Sequence, residues 1–145
     1  MTILGIDPGA SGGIALVPHK FSSSGPIALK MPATERDIWD AVKDAAAYAD
    51  AAWIEKVSAM PKQGVSSTFK FGRSYGFLRA CLFAAGIPIH DVAPGVWQRA
   101  LGCLSGGDKN ITKAKAQELF PMLERITHAT ADALLIAEYG RRMTC

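Results

Sequence analysis

The sequence predicts an α/β fold, and three features support this prediction. Short apolar runs of strand length occur mainly in the first half of the chain, and longer runs with helical spacing dominate the second half. Clusters of glycine, proline and serine separate the runs. A chain of 145 residues can bury an ordinary core, so we expect a single domain that spans residues 1–145.

The composition is typical of a globular protein, with 49% hydrophobic and 20% charged residues. No apolar run reaches the roughly 18 residues that a membrane span requires, and the N-terminus lacks the positive charge that begins a signal peptide. We therefore expect no membrane partner. Cys81, Cys103 and Cys145 show no close paired spacing, which is typical of reduced thiols in a cytoplasmic protein.

The net charge of +3 is unevenly distributed along the chain. Residues 56–115 carry nine Lys and Arg against two Asp and Glu, whereas residues 1–55 carry four against seven and residues 116–145 three against four. A basic middle third can be an ordinary solvated face. It also fits a surface that attracts phosphates beside an acidic, metal-binding centre.

The first half of the chain predicts four strands and one helix. The turn between the first two strands contains Gly9, Gly12 and Gly13, which permit tight turning. Thr34 is a typical helix N-cap, and Asp37 three residues later forms a weak capping box. The predicted strands span residues 2–7, 13–18, 26–31 and 51–55, the helix ends near Ala49, and its inner face carries Ile38, Ala41, Val42, Ala45 and Ala49.

The second half predicts one further strand and four helices. Gly86 and Pro88 end the first of these helices. The predicted elements are a long helix from Ser66 or Ser67 to about Ala85, a strand at 87–92, a short helix from Pro94 to near Gly102, a helix that Thr112 caps and that ends near Phe120, and a last helix from His128 or Ala129 to about Arg142.

This order of elements predicts the sheet. The first three strands pair as an antiparallel meander, and the last two join through helical crossovers, parallel to the first strand. The expected product is a five-stranded mixed sheet, three antiparallel strands followed by two parallel ones, with helices on both faces. This architecture resembles the ribonuclease-H-like fold.

Three carboxylates occupy comparable places in the predicted fold. Asp7 ends the first strand, Glu55 ends the fourth, and Asp132 lies in the first turns of the last helix. Parallel neighbouring strands end at one sheet edge, where open α/β sheets hold their ligands. His128 precedes Asp132 by four residues and shares its helical face. Each residue alone is more often a turn, cap or surface residue, but their joint placement predicts a site.

Carboxylates in this arrangement favour phosphodiester hydrolysis. Hard oxygen ligands suit Mg²⁺, and Mn²⁺ is a natural substitute. Two ions at one site can activate an attacking water and stabilise the leaving 3′ oxygen, which yields 5′-phosphate and 3′-hydroxyl ends. Without metal, three nearby carboxylates would repel one another and raise one another's pKa. The sequence therefore predicts a magnesium site, with two ions, at Asp7, Glu55 and Asp132.

The chain resembles the RuvC-type Holliday junction resolvases, in particular compact phage or prophage members, over nearly its whole length. The resemblance implies metal-binding roles for Asp7, Glu55 and Asp132 and a fourth metal-site residue one helical turn earlier, for which His128 is the candidate. It also implies a homodimer that nicks four-way DNA junctions symmetrically, in a bacterial cell or a phage-infected host. The segments that carry it are residues 5–9, 54–55, 70–76, 94–102 and 128–137.

The same resemblance assigns the DNA and dimer contacts. Gly72 and Gly76 would let the long helix approach its copy, unless they pack on the chain's own sheet. Phe69 or Phe71 would stack on an unpaired base, with Phe69 nearer the preceding loop, unless the ring packs in the core. A lysine lies near the scissile phosphate in the family. Lys109 and Lys113 are the candidates for that catalytic position, and the DNA-binding candidates are Lys62, Gln63, Phe69, Lys70, Arg73, Lys109, Lys113 and Lys115.

Three other functions fit parts of the sequence. Small YqgF-like RNA-processing nucleases share the length and an early Gly-Ile-Asp strand. Actin-like and sugar-kinase ATPases share a strand, an Asp and a glycine-rich turn, but they clamp nucleotide between two such domains. A chain of 145 residues leaves no room for the second, so no nucleotide cofactor is expected. A non-catalytic junction-binding protein is the third, although it has no use for clustered acids beside phosphate.

Overall fold

The structure, a computed structural model, describes residues 1–20 and 22–144. Cys145 therefore lies outside the described residues. The strands are β1 (Ile3–Asp7), β2 (Gly13–Val17), β3 (Ile27–Lys30), β4 (Ala51–Glu55) and β5 (Ile89–Val92). The helices are α1 (Glu35–Ala46), α2 (Val65–Ala84), α3 (Pro94–Ala100), α4 (Lys109–Leu119) and α5 (His128–Met143).

The strands form one mixed sheet in the order β3-β2-β1-β4-β5, as predicted. β1 pairs antiparallel with β2 and parallel with β4. On the outside of the sheet, β3 pairs antiparallel with β2, and β5 pairs parallel with β4. In the parallel pair, Ile6 lies opposite Ile54, so the next residues, Asp7 and Glu55, leave the sheet at the same edge. The register thus places two of the predicted site residues side by side.

Helices cover both faces of the sheet. On one face α5 packs on β1 and β2, with α3 and α4 beside it, around a core that includes Trp97 and Cys103. On the other face α1 and α2 cover a second core that includes Val42, Cys81 and the predicted inner face of α1. Cys81 and Cys103 are buried on opposite sides of the sheet, which keeps their thiols apart.

Two glycines let α5 lie very close to the sheet. A Cβ atom at Gly5 of β1 would overlap the backbone of α5 at Ala133 and the residue Ala137, and one at Gly13 of β2 would overlap Ala129. The helix axis is therefore held against the strand that ends in Asp7. This close approach carries Asp132, one residue before Ala133, towards the edge where β1 ends.

The helix starts correct two predictions and confirm the other three, since α3 begins at Pro94 and α5 at His128, as predicted. Thr34 caps α1 and accepts a hydrogen bond from the backbone N–H of Asp37, as predicted. Asp108, not Thr112, caps α4, because its carboxylate accepts from the backbone N–H of Asn110; Thr112 is buried inside the helix. Gly64, rather than Ser66 or Ser67, is the N-cap of α2.

None of the helices in the described residues combines the length and the apolar character that crossing a bilayer demands.

Candidate metal centre and nucleic-acid interface

The tertiary structure brings the three predicted carboxylates together. Asp7 ends β1, Glu55 ends the neighbouring β4, and Asp132 lies in the second turn of α5. The negative charges of Glu55 and Asp132 raise the pKa of Asp7, and the charge of Asp132 also raises the pKa of Glu55. Glu55 and Asp132 also line an open cavity of about 350 Å³, beside Gln98, Ser105 and Lys109. The predicted grouping at one sheet edge is thus formed by the fold.

Asp7 has the most perturbed environment of these residues. Its side chain is 7% exposed, and its pKa is raised from 3.8 to about 7. Burial is the main cause, the negative charges of Glu55 and Asp132 add to it, and the Lys109 ammonium opposes them. Burial of this kind makes the ionised carboxylate costly, so a cation beside Asp7 would stabilise it.

Trp97 holds Glu55 in place, a contact that no motif in the sequence indicates. The fully buried indole of Trp97, in α3, donates its Nε1–H to Oε2 of Glu55 at 2.8 Å. Burial raises the pKa of Glu55, and this hydrogen bond opposes that rise by stabilising the ionised form. A buried tryptophan usually finds a hydrogen-bond partner for its N–H, but the sequence does not show that the partner of Trp97 is Glu55.

A lysine completes the cluster. Nζ of Lys109, the first residue of α4, lies 3.5 Å from Oδ2 of Asp132. Of the two lysines left open by the sequence, Lys109 is therefore the one in contact with the acids. Lys113 follows one helical turn later and is half-buried; its predicted catalytic role stays a prediction.

Two oxygen atoms of the cluster are buried without a hydrogen-bond partner, which suits them to bind a cation. Oδ2 of Asp7 and Oδ1 of Asp132 are buried and have no hydrogen-bond partner, which costs free energy unless something pairs with them. In the part of the chain that the structure describes, no group of three or more His, Cys, Asp and Glu side chains is arranged to hold a metal ion. Mg²⁺, however, needs only one or two carboxylates beside water and substrate phosphates. The two orphaned oxygens fit that requirement.

His128 lies at the start of α5, but its contact is with an amide. Its Nε2 lies 3.0 Å from Oδ1 of Asn110 in α4, and its side chain is exposed. That nitrogen is engaged, so a ligand role would fall to Nδ1 or would require the amide contact to open. The fourth-ligand assignment stays a prediction, and Asn110 is a neighbour that the sequence analysis did not identify.

The two candidate stacking rings, both in the first turns of α2, have different surroundings. Phe69 is 72% exposed. Phe71 is half-buried, and its ring covers Gly9 in the turn after β1. The structure therefore presents Phe69 to solvent and uses Phe71 in packing. In the same loop, Lys62 is exposed with a φ of 68°, and the side-chain oxygen of Gln63 accepts from the backbone N–H of Met60 at 3.3 Å.

The remaining DNA-binding candidates differ in how far they are engaged within the chain. Arg73 pairs with Glu35 of α1 at 2.9 Å, although both side chains are more than half exposed. Lys115 pairs with Glu118 within α4 at 3.0 Å. The Arg73–Glu35 pair is exposed, and exposed ion pairs are weak and open readily to a phosphate. Lys70 is exposed in α2.

The outer face of α2 is apolar and open. A Cβ atom at Gly72 or Gly76 would meet nothing within 4 Å, so neither glycine packs on the chain's own sheet. Phe69 and Phe83, at helical spacing from them, are 72% and 70% exposed. We call Gly72, Gly76 and Phe83 the α2 stripe. The alternative of intrachain packing, which the sequence left open, is thereby excluded.

The sheet order and the carboxylate edge define the class of protein: an α/β protein with the ribonuclease-H-like fold, as predicted. Among solved structures, the chain resembles Thermus thermophilus RuvC, with a TM-score of 0.66 at 20% identity over 99% of this chain and 97% of that chain. It also resembles T. thermophilus RuvC in complex with a Holliday junction substrate, with a TM-score of 0.71 at 24% identity over 99% of this chain and 96% of that chain. The sequence significantly matches no protein-family model and no curated protein. The fold is thus that of RuvC, carried by a divergent sequence.

Proposed function

We propose that this protein is a Mg²⁺-dependent, structure-selective endonuclease that nicks four-way or other branched DNA. The observation that carries the proposal is the buried acid cluster. Asp7 and Asp132 each keep one oxygen without a partner, and the pKa of Asp7 is raised to about 7. Burying these acids together costs free energy, and a divalent cation bound between them would offset that cost.

The fold supports the choice of substrate. One of the two RuvC structures was determined with a Holliday junction, and its chain matches this one from end to end. A fold alone does not fix an activity. Here it coincides with acids at the sheet edge where ligands of open α/β sheets bind, and with a cation, Lys109, that contacts one of those acids.

The residues of the cluster have separate roles. Asp7 and Asp132 would hold the cation through their unpaired oxygens, and Trp97 orients Glu55. Bound Mg²⁺, or Mn²⁺ in its place, would polarise the scissile phosphate and lower the pKa of an attacking water, with two ions as the expected number. The Lys109 ammonium, half-exposed beside Asp132, is placed to hold a phosphate oxygen. Hydrolysis in this manner leaves 5′-phosphate and 3′-hydroxyl ends.

A homodimer suits this substrate, because a two-fold protein matches a junction with two equivalent strands. The α2 stripe supports it, because its two open glycines allow close helix approach and its Phe83 side chain is exposed. The basic residues of the chain would contact phosphates, so binding should weaken steeply as salt rises. The reduced, buried Cys81 and Cys103 agree with action in the cytoplasm of a bacterial cell or an infected host.

The deciding experiment is a panel of labelled substrates with Mg²⁺ and with chelator: four-way junction, other branched DNA, duplex, single strand and structured RNA. We expect nicking of the branched DNA only, in Mg²⁺ only. Cleavage of structured RNA alone would replace the proposal with a YqgF-like activity. Tight junction binding without nicking in Mg²⁺ or Mn²⁺ would indicate a non-catalytic junction-binding protein.

A further inference from the structure

Trp97 joins two parts of the acid cluster that come from different elements. Its indole donates to Oε2 of Glu55 at 2.8 Å, from α3 to the end of β4. The ring itself is 0% exposed and lies in the same core as Ala131 and Ala133, the residues on either side of Asp132 in α5. One rigid side chain thus touches the carboxylate of Glu55 and packs in the core that carries Asp132.

The hydrogen bond restricts how Glu55 can turn. A glutamate at a strand end has a freely rotating terminal carboxylate, whereas an indole packed in the core cannot follow it. The bond takes only Oε2, and Oε1 makes no hydrogen bond to the described residues. The indole therefore fixes the plane of the carboxylate while leaving the other oxygen available.

We propose that Trp97 is a positioning residue for the metal centre, acting through Glu55 by holding Oε2 so that Oε1 is presented to a divalent cation. This rests on the proposed function. Partners of this kind in an outer shell typically change metal affinity or activity about 10- to 100-fold when they are removed. Trp97 touches neither substrate nor the reacting phosphate in this role.

The test variant is Trp97→Phe, which keeps an aromatic ring in the core and removes the N–H donor. Its matched control is Trp53→Phe, because Trp53 lies on the same β4, its Nε1 is buried, and it has no hydrogen-bond partner. The first readout is Mn²⁺ binding by calorimetry on the DNA-free protein. We expect Trp97→Phe to weaken Mn²⁺ binding about 10-fold or more, and Trp53→Phe to leave it unchanged.

A double-mutant cycle then separates positioning from mere packing. If Trp97 acts through Glu55, Trp97→Phe should add little further loss of Mn²⁺ affinity in a Glu55→Gln background. Equal losses in both backgrounds would overturn the proposal, because the tryptophan would then act independently of Glu55. Unchanged Mn²⁺ affinity in Trp97→Phe would overturn it as well.

A second readout does not depend on the Trp97 variant's being folded. In ¹⁵N-labelled protein, the Trp97 indole resonance should shift on Glu55→Gln and on addition of Mg²⁺, while that of Trp39, on the opposite face of the sheet, stays in place. An indole resonance that ignores Glu55→Gln overturns the proposal. If the wild type binds neither Mn²⁺ nor Mg²⁺, the proposed function fails instead, and the response to Glu55→Gln still reports whether Trp97 holds Glu55.

Discussion

Nζ of Lys109 lies 3.5 Å from Oδ2 of Asp132, so the first residue of α4 places a positive charge against an acid of α5. The positive charge of Lys109 lowers the pKa of Asp7 and of Glu55 relative to the values that burial and mutual repulsion alone would give. The lysine is half-exposed, which leaves it accessible to a phosphate arriving at the cluster.

We expect Lys109→Gln to slow junction nicking about 100-fold, because it removes a cation where negative charge develops on the phosphate. Lys113→Gln is the matched control on the next turn of α4, and we expect a smaller loss. Single-turnover nicking rates in saturating Mg²⁺ measure both. A larger loss for Lys113→Gln would reverse the assignment.

Asp7→Asn should stabilise the metal-free protein while abolishing nicking. Since folding raises the pKa of Asp7 from 3.8 to about 7, the folded state binds this proton more tightly, and the free energy of unfolding falls as pH rises through that range. An asparagine does not titrate, so Asp7→Asn avoids this loss of stability. The free energy of unfolding of the variant should exceed that of the wild type by roughly 2–4 kcal/mol above pH 7. The difference should be small near pH 3.8, the pKa of Asp7 in the unfolded chain.

Denaturant unfolding in chelator, at both ends of that pH window, measures the gain. Asp44→Asn, on the exposed surface of α1, controls for the loss of one negative charge. Junction binding by Asp7→Asn should be retained or strengthened. Unimpaired nicking by this variant would refute the metal assignment of Asp7.

Phe69→Ala should weaken junction binding without loss of stability. The ring is 72% exposed, and stacking on an unpaired base is worth about 1–3 kcal/mol. Phe71→Ala provides the contrast, because that ring packs over Gly9 and its loss should lower the melting temperature. Titration with labelled junction and thermal unfolding measure both variants. If Phe69→Ala is destabilised and binds the junction normally, Phe69 contributes to folding rather than to DNA binding.

Gly76→Glu should give a monomer that remains folded. The position is open within the chain, so the side chain costs nothing there, but a charge on the α2 stripe would block helix-to-helix contact. Gly25→Glu, at a loop glycine with equally open surroundings, is the control. Sedimentation equilibrium reads the outcome, and a dimeric Gly76→Glu protein would place the interface elsewhere.

Gly5→Ala should be strongly destabilising, by about 3 kcal/mol or more, because the added methyl would overlap the backbone of α5. Gly25→Ala has open space around it and should fall within about 0.5 kcal/mol of the wild type. Urea unfolding in chelator compares the two. If Gly5→Ala and Gly25→Ala are equally stable, the protein does not need the close approach of α5 to β1 for its stability.

Much of this architecture is readable from local chemistry. The alternation of apolar runs and turn clusters predicts all five strands and their order, because short connections favour antiparallel neighbours and helical crossovers favour parallel ones. Helix starts were less predictable. Ser66, Ser67 and Thr112 are good cap residues by type, yet Gly64 and Asp108 hold those positions, since the start of a helix also depends on where the preceding loop leaves the sheet.

The fold class follows from the pattern of strands and helices, and so do the positions of Asp7, Glu55 and Asp132 at element ends that meet at one sheet edge. The groups that surround these acids are set by tertiary packing. Trp97, Lys109 and the free face of α2 reach their places through contacts between elements far apart in the chain. Such contacts depend on the packing of helices on the sheet, which no local pattern of residues encodes.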